Sequence, residues 1–179
     1  LKLECWQPTR SFKIRGAYNA VASLGEEARS RGVVAASAGN HGQGVALAAR
    51  RLGVPAVIFV PHTAPETKQA RIRSLGADLR VEGSIYDEAE AAAREYAAST
   101  GAFFVHAFSN PDVVAGQGTV GLEIVEDLPE VREVIVPVGG GGLIVGVGTA
   151  VKAVAGPDVR VVGVQSEQTS SMYAAFVAG

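Results

Sequence analysis

Short apolar runs alternate with longer amphipathic stretches along this chain. Val33–Ser37 is apolar and leads into Gly39, Asn40 and Gly42. His41–Leu52 then carries Val45, Ala48, Ala49 and Leu52 at helical spacing, with Gly53 where a helix-terminating glycine belongs. Ala56–Val60 predicts a strand, and Pro65 the first position of a helix that turns Ile72 and Leu75 inward and ends at Gly76. Asp78–Val81 predicts another strand. Asp87 and Glu88 suit the first turn of an Ala-rich helix ending near Thr100. The pattern continues with a strand over Phe103–His106, a loop over Ser109–Pro111, a helix over Val114–Leu128 and a buried strand over Val134–Val138. A loop over Gly139–Gly142, a helix over Leu143–Val154 and a strand over Val159–Val164 complete it. Apolar strands alternating with helices predict an α/β fold with parallel sheets covered by helices on both faces.

Composition narrows the class. The 179 residues are 47% hydrophobic and 19% charged, the latter below the ~25% of an ordinary globular chain, which argues against disorder. A net charge of −2 supplies no electrostatic reason for a nucleic-acid or anionic-membrane partner. Val134–Val151 carries no charge, but Pro137 and six glycines make it read as strand, loop and helix rather than a membrane span. The single cysteine, Cys5, cannot form an internal disulfide, which points to a reducing, cytoplasmic setting. The chain opens at Leu1 without Met and stops at Gly179 just after a helix-like stretch, as a small protein or a piece of a larger one would.

Three places could carry chemistry. Gly139–Gly142 lies between a strand and a helix, where backbone N–H groups can converge on a phosphate; a flexible packing loop is the plain alternative. No Lys-Ser/Thr pair follows, and Val145 breaks the dinucleotide glycine spacing. Lys13 is one of only four lysines against twelve arginines and sits between Phe12 and Ile14. That setting could desolvate its amine for Schiff-base chemistry, or simply belong to a surface helix. Ser37-Ala38-Gly39-Asn40-His41-Gly42 ends a strand, where α/β sheets bind ligands, and its groups suit a carboxylate or merely cap a helix. His62 and His106 have no metal-ligand spacing and read as structural.

A Schiff-base lysine, a phosphate cradle and a carboxylate pocket together are what a pyridoxal phosphate enzyme needs for an amino-acid substrate. Gln7–Ala17, Ser37–Gly44, Ala115–Thr119 with Glu123, and Gly139–Leu143 resemble the threonine dehydratase and serine racemase family of the tryptophan-synthase-β fold. The resemblance runs over essentially the whole chain. It implies that Lys13 holds pyridoxal phosphate as a Schiff base, that Phe12 flanks the ring and that Asn40 bonds the ring hydroxyl. It also implies that Ser37, Asn40 and His41 grip the substrate carboxylate, while Gly139, Gly140, Gly141, Gly142 and Leu143 cradle the phosphate. The implied reaction is β-elimination of L-threonine or L-serine to a 2-oxo acid and ammonia, in amino-acid metabolism such as isoleucine biosynthesis.

The resemblance further implies that residues 1–36 and 111–179 belong to a larger cofactor domain and 37–110 to a smaller mobile one. It implies a homo-oligomer in the full-length protein and a chain lacking both ends of the family's length. Departures qualify it. Ala38 stands where the family's racemases place a serine, and Gln165 and Ser171 replace the acidic positions of the family's cation site, so no metal is expected. Arg10 stands where many relatives have glycine. A racemase, another β-replacement enzyme and a non-catalytic module for a phosphorylated ligand are the alternatives.

Overall fold

The computed structural model describes residues 1–178. After a 3₁₀ turn at Glu4–Trp6 the elements run α1 (Lys13–Ala22), α2 (Glu26–Arg31), β1 (Val33–Ala36), α3 (Asn40–Leu52), β2 (Ala56–Val60), α4 (Glu66–Ser74) and β3 (Asp78–Val81). They continue with α5 (Tyr86–Thr100), β4 (Phe103–Phe104), α6 (Pro111–Asp127), β5 (Glu133–Pro137), α7 (Gly142–Ala155), β6 (Arg160–Val164), a 3₁₀ turn at Glu167–Thr169 and α8 (Ser171–Ala178). The chain is the α/β structure its patterning predicts, with parallel strands throughout.

The first sheet has the order β3-β2-β1-β4. Its central strand alternates: Val33 and Ala35 bury in one core with α1 and α3, and Val34 and Ala36 in another with Phe59, Ala93 and Ala102. That period-2 division is why β1 is apolar at every position. In the second sheet β5 pairs with β6, Val134 opposite Val161.

Covering on both faces holds for the first sheet and fails for the second. Val134 and Val136 pack on Val120, Val147 and Val151 of α6 and α7, but Ile135 is 64% exposed and Val164 53%. With only two strands, α6 and α7 sheathe one side and leave Ile135 on the other uncovered, while an apolar groove of ≈ 780 Å³ opens between β6, Ile144 of α7 and α8. Smaller differences have local causes. Pro65 caps α4 from outside, with extended backbone at ψ 135°. β4 is two residues long because the chain turns at His106. The helix expected from Val114 begins at Pro111, because Asn110 Oδ1 accepts from the N–H groups of Asp112 and Val113. No described helix is long and apolar enough to cross a membrane.

Arg10 acquires an explanation. It alone among the described non-glycine residues has positive φ, at 58°, in the turn closed by its N–H to Gln7 O at 2.7 Å. Glycine adopts this conformation without the clash that Cβ brings. Arg10→Gly is therefore expected to leave stability within about 0.5 kcal/mol, relieved strain offsetting the entropy of a freer unfolded chain. Arg10→Val should cost about 1–3 kcal/mol. Urea denaturation of the two variants checks this, and equal stabilities would contradict it.

Candidate active site

Helix α1 delivers Lys13. Ile14, Ala17, Ala20 and Val21 recur at helical spacing and are buried, so the helix has a defined inward face. Its start is held by Ser11, whose Oγ accepts the Lys13 N–H at 3.3 Å. The Lys13 amine donates from Nζ to Ala107 O at 2.9 Å and stands 5.3 Å from the centre of the Phe12 ring. Among the described residues no carboxylate comes within ion-pair distance of it, although Lys2 has two such partners. Burial without a counter-charge pushes its pKa down. That burial makes the neutral, nucleophilic form of this amine easier to reach than for an ordinary exposed lysine.

The four glycines face that amine. Gly141 has φ +86° and precedes α7, whose first N–H groups have no partner within the helix. Phe108 lies against the loop. A Cβ at Gly140 would stand 2.5 Å from its ring and one at Gly142 would stand 3.0 Å from its Cβ. Side chains are thereby excluded at these two positions, and the backbone is left bare beside the cavity. That cavity, of ≈ 350 Å³, is lined by Phe12, Lys13, Phe108 and Gly139–Leu143. Its size falls in the ~300–1,000 Å³ range of small-ligand sites. An amine without a counter-charge, an aromatic face and a bare-backbone helix N-terminus fit the aldehyde, ring and phosphate of pyridoxal phosphate.

Seven residues singled out from the sequence (Phe12, Lys13 and Gly139–Leu143) thus share one cavity, while Ser37, Asn40 and His41 do not line it. They sit beside it, at the β1–α3 junction. Ser37 Oγ accepts the Gly39 N–H at 3.1 Å, and Asn40 opens α3 with its side chain exposed. A Cβ at Gly44 would approach the Lys13 carbonyl to 3.2 Å, so α3 passes directly beside α1. The His41 ring is turned inward. Its Nε2–H donates to Val105 O at 2.7 Å, which leaves Nδ1 as a buried lone pair with no partner. The ring has no donor left for a carboxylate; at this position the backbone N–H is the available one.

Burial also depresses the His41 pKa to about 4 from 6.5. Because the folded value is the lower one, the unfolded chain binds the extra proton between those limits, and stability falls as pH drops through them. The loss approaches about 1.4 kcal/mol per pH unit. His41→Gln, which keeps a donor to Val105 O without titrating, should lose less stability between pH 6.5 and pH 4.5. Urea midpoints at the two pH values decide it, and equal losses exclude His41 as the cause.

Other residues at the site had no assigned role in the sequence. Arg15 donates to Glu4 (Nε, 2.7 Å), to Glu123 (Nη1, 2.6 Å; Nη2, 2.8 Å) and to Thr119 Oγ1 at 3.1 Å. Lys2 joins Glu123 at 2.8 Å, and the two cations hold the Glu123 carboxyl down to about 2. Gln117 Oε1 accepts the Gly16 N–H at 3.2 Å. These bonds clamp α1, and with it Lys13, onto α6. Thr119 and Glu123 stand four apart on one helix face, a spacing that signals a shared partner but does not identify Arg15. Nothing local marked Ala107 or Phe108.

The family model for pyridoxal-phosphate dependent enzymes matches residues 1–179. An L-threonine ammonia-lyase of Thermotoga maritima is 59% identical over 179 residues, covering 100% of this chain and 44% of that protein. Among solved structures, the processed form of threonine deaminase isoform 2 from Solanum lycopersicum superposes with a TM-score of 0.95 at 43% identity, covering 99% of this chain and 51% of that one. Maize serine racemase superposes with a TM-score of 0.94 at 38% identity, covering 98% and 53%. The chain spans about half the length of the relatives it matches.

Proposed function

The chain belongs to the pyridoxal-phosphate dependent enzyme family, and on that premise we propose that it is part of a lyase converting L-threonine or L-serine to a 2-oxo acid and ammonia. The observation that carries the proposal is the desolvated Lys13 amine, without a carboxylate partner, facing the bare glycine backbone across one cavity. Lys13 would hold the cofactor covalently, Phe12 would lie beside its ring, Asn40 would bond its hydroxyl, and Gly139–Leu143 would receive its phosphate on backbone N–H groups. When bound, the cofactor supplies an electron sink that accepts charge from the substrate Cα.

The chain's own groups do the rest. The N–H groups opening α3, at Asn40 and His41, with Ser37 Oγ beside them, receive the substrate carboxylate. Lys13 Nζ, biased toward its neutral form by burial, takes the Cα proton. Its hydrogen bond to Ala107 O engages one N–H and so aims the lone pair elsewhere. Loss of the β-hydroxyl and hydrolysis of the resulting enamine release the 2-oxo acid and ammonia. Residues 37–110 would move as the smaller unit over 1–36 with 111–179; the two separate sheets, with strands at 33–104 and 133–164, support two units, but β1 (Val33–Ala36) pairs with β2 and β4 and so moves the boundary to before Val33. The single exposed cysteine supports a cytoplasmic setting.

The direct test adds pyridoxal phosphate to the full chain, reads the visible band, reduces with borohydride and maps the adduct. An adduct at Lys13 is expected; one confined to Lys2, Lys68 or Lys152, or none, overturns the proposal.

The likeness to a serine racemase favours a second reading. Ala38 weighs against it, because a methyl group cannot deliver a proton to the opposite face of Cα. D-serine should form from L-serine more slowly than pyruvate; the reverse order makes racemisation the main activity.

A further inference from the structure

The turn between β4 and α6 converges on one imidazole nitrogen. His106 Nδ1 accepts two backbone N–H groups, from Phe108 at 3.3 Å and from Ser109 at 3.0 Å. An imidazole nitrogen that accepts both must be unprotonated, which places the ring hydrogen on Nε2. The Phe108 N–H belongs to the same peptide unit as the Ala107 carbonyl. In a trans peptide these two bonds point in opposite directions, and no described peptide bond is cis. One end of the unit is therefore fixed on His106, and the other accepts from Lys13 Nζ at 2.9 Å. The imidazole edge also meets the Phe108 ring at 4.6 Å and 84°. That ring is the wall against which Gly140 packs, and Gly142 faces the Cβ and backbone of the same residue.

We propose that His106 is a positioning residue for Lys13, acting through the Ala107–Phe108 peptide. Accepting the Phe108 N–H orients and polarises the Ala107 carbonyl, since hydrogen bonds in series strengthen one another. The carbonyl in turn sets where the Lys13 amine rests and where its lone pair points. The same ring holds Phe108 against the glycine loop, so one side chain registers both halves of the cavity. A protonated His106 would present N–H in place of the acceptor and break both backbone bonds. The charged and titratable groups facing it are Glu90 and Arg94 from α5, Lys13 from α1 and His41 from α3. Burial, Arg94 and Lys13 oppose protonation, and Glu90 favours it. The inference rests on the reading of Lys13 given above.

The test compares His106→Asn, whose Oδ1 takes the place of Nδ1, with His106→Leu in the full chain. Amide exchange at Phe108 and Ser109 is read without cofactor, and kcat and KM are read with pyridoxal phosphate bound. For His106→Leu, exchange at those two amides should rise roughly tenfold or more. Its kcat should fall about tenfold or more with KM within about threefold. His106→Asn should return both quantities to within about threefold of the parent, because it restores the acceptor. On acidification the parent should lose protection at the two amides while His106→Asn keeps it.

Parent-like protection and kcat in His106→Leu overturn the proposal. Equal impairment of the two variants also overturns it, leaving ring packing as the role. If His106→Leu fails to fold, the acid comparison of parent with His106→Asn decides, and joint loss of protection overturns the proposal. Should borohydride fix the cofactor elsewhere than Lys13, the lyase reading falls, while exchange in the cofactor-free protein still decides the anchor.

Discussion

Lys13→Ala should abolish 2-oxo acid formation from L-threonine and L-serine, a fall of at least about 10⁴ in rate, because the attachment point and the base are the same atom. Borohydride should fix no cofactor in this variant. The fold should survive, since truncation removes an amine that burial disfavours in its charged form and that has no carboxylate partner. A far-UV circular dichroism spectrum like that of the parent checks this. Lys13→Arg should not restore activity, as a guanidinium remains protonated and cannot serve either role. Undiminished activity in Lys13→Ala would exclude the mechanism.

Gly116→Ala should be strongly damaging although Gly116 lies away from the cavity. A Cβ there would lie 2.6 Å from both Arg15 O and Gly16 Cα, and 2.8 Å from Asn19 Cβ. Two of those three atoms are backbone, so no rotamer change makes room and α1 must leave α6. A loss of about 2 kcal/mol or more is expected, roughly 4–8 °C in Tm for a chain of this size. Because α1 carries Lys13, borohydride-fixed cofactor should fall in parallel. Thermal denaturation followed by circular dichroism reads the first effect, and a Tm within about 1 °C of the parent would contradict so close a crossing.

Much of the architecture was legible because the relevant physics is local. The apolar run Ala56–Val60 is a strand over the same five residues, and Gly53 ends α3 in the left-handed conformation its position implied. Lys13 and Gly139–Gly142 were visible as oddities of type and place, and they share a cavity. His41 shows the limit. Its place at a strand end suggested a carboxylate ligand, yet Val105, distant in sequence, takes the ring's only donor and leaves the backbone N–H for that role. Arg10 shows the reverse: an arginine in a glycine's place had no account until its φ of 58° supplied one.

Periodicity and glycine placement were enough to define an α/β chain with parallel strands and to single out an unusual lysine and a glycine loop, because each depends on near neighbours along the chain. Which groups meet that lysine depended on long-range packing. Ala107 O, the His106 nitrogen behind it, the Phe108 wall and the Arg15 clamp come from segments about 90 to 110 residues away from α1 or lie in loops without regular pattern. Hydrogen bonds across such separations follow from how α1, α6 and α7 pack, and no local spacing encodes them. The lysine was therefore identifiable from its neighbours in sequence, and its orientation only from its neighbours in space.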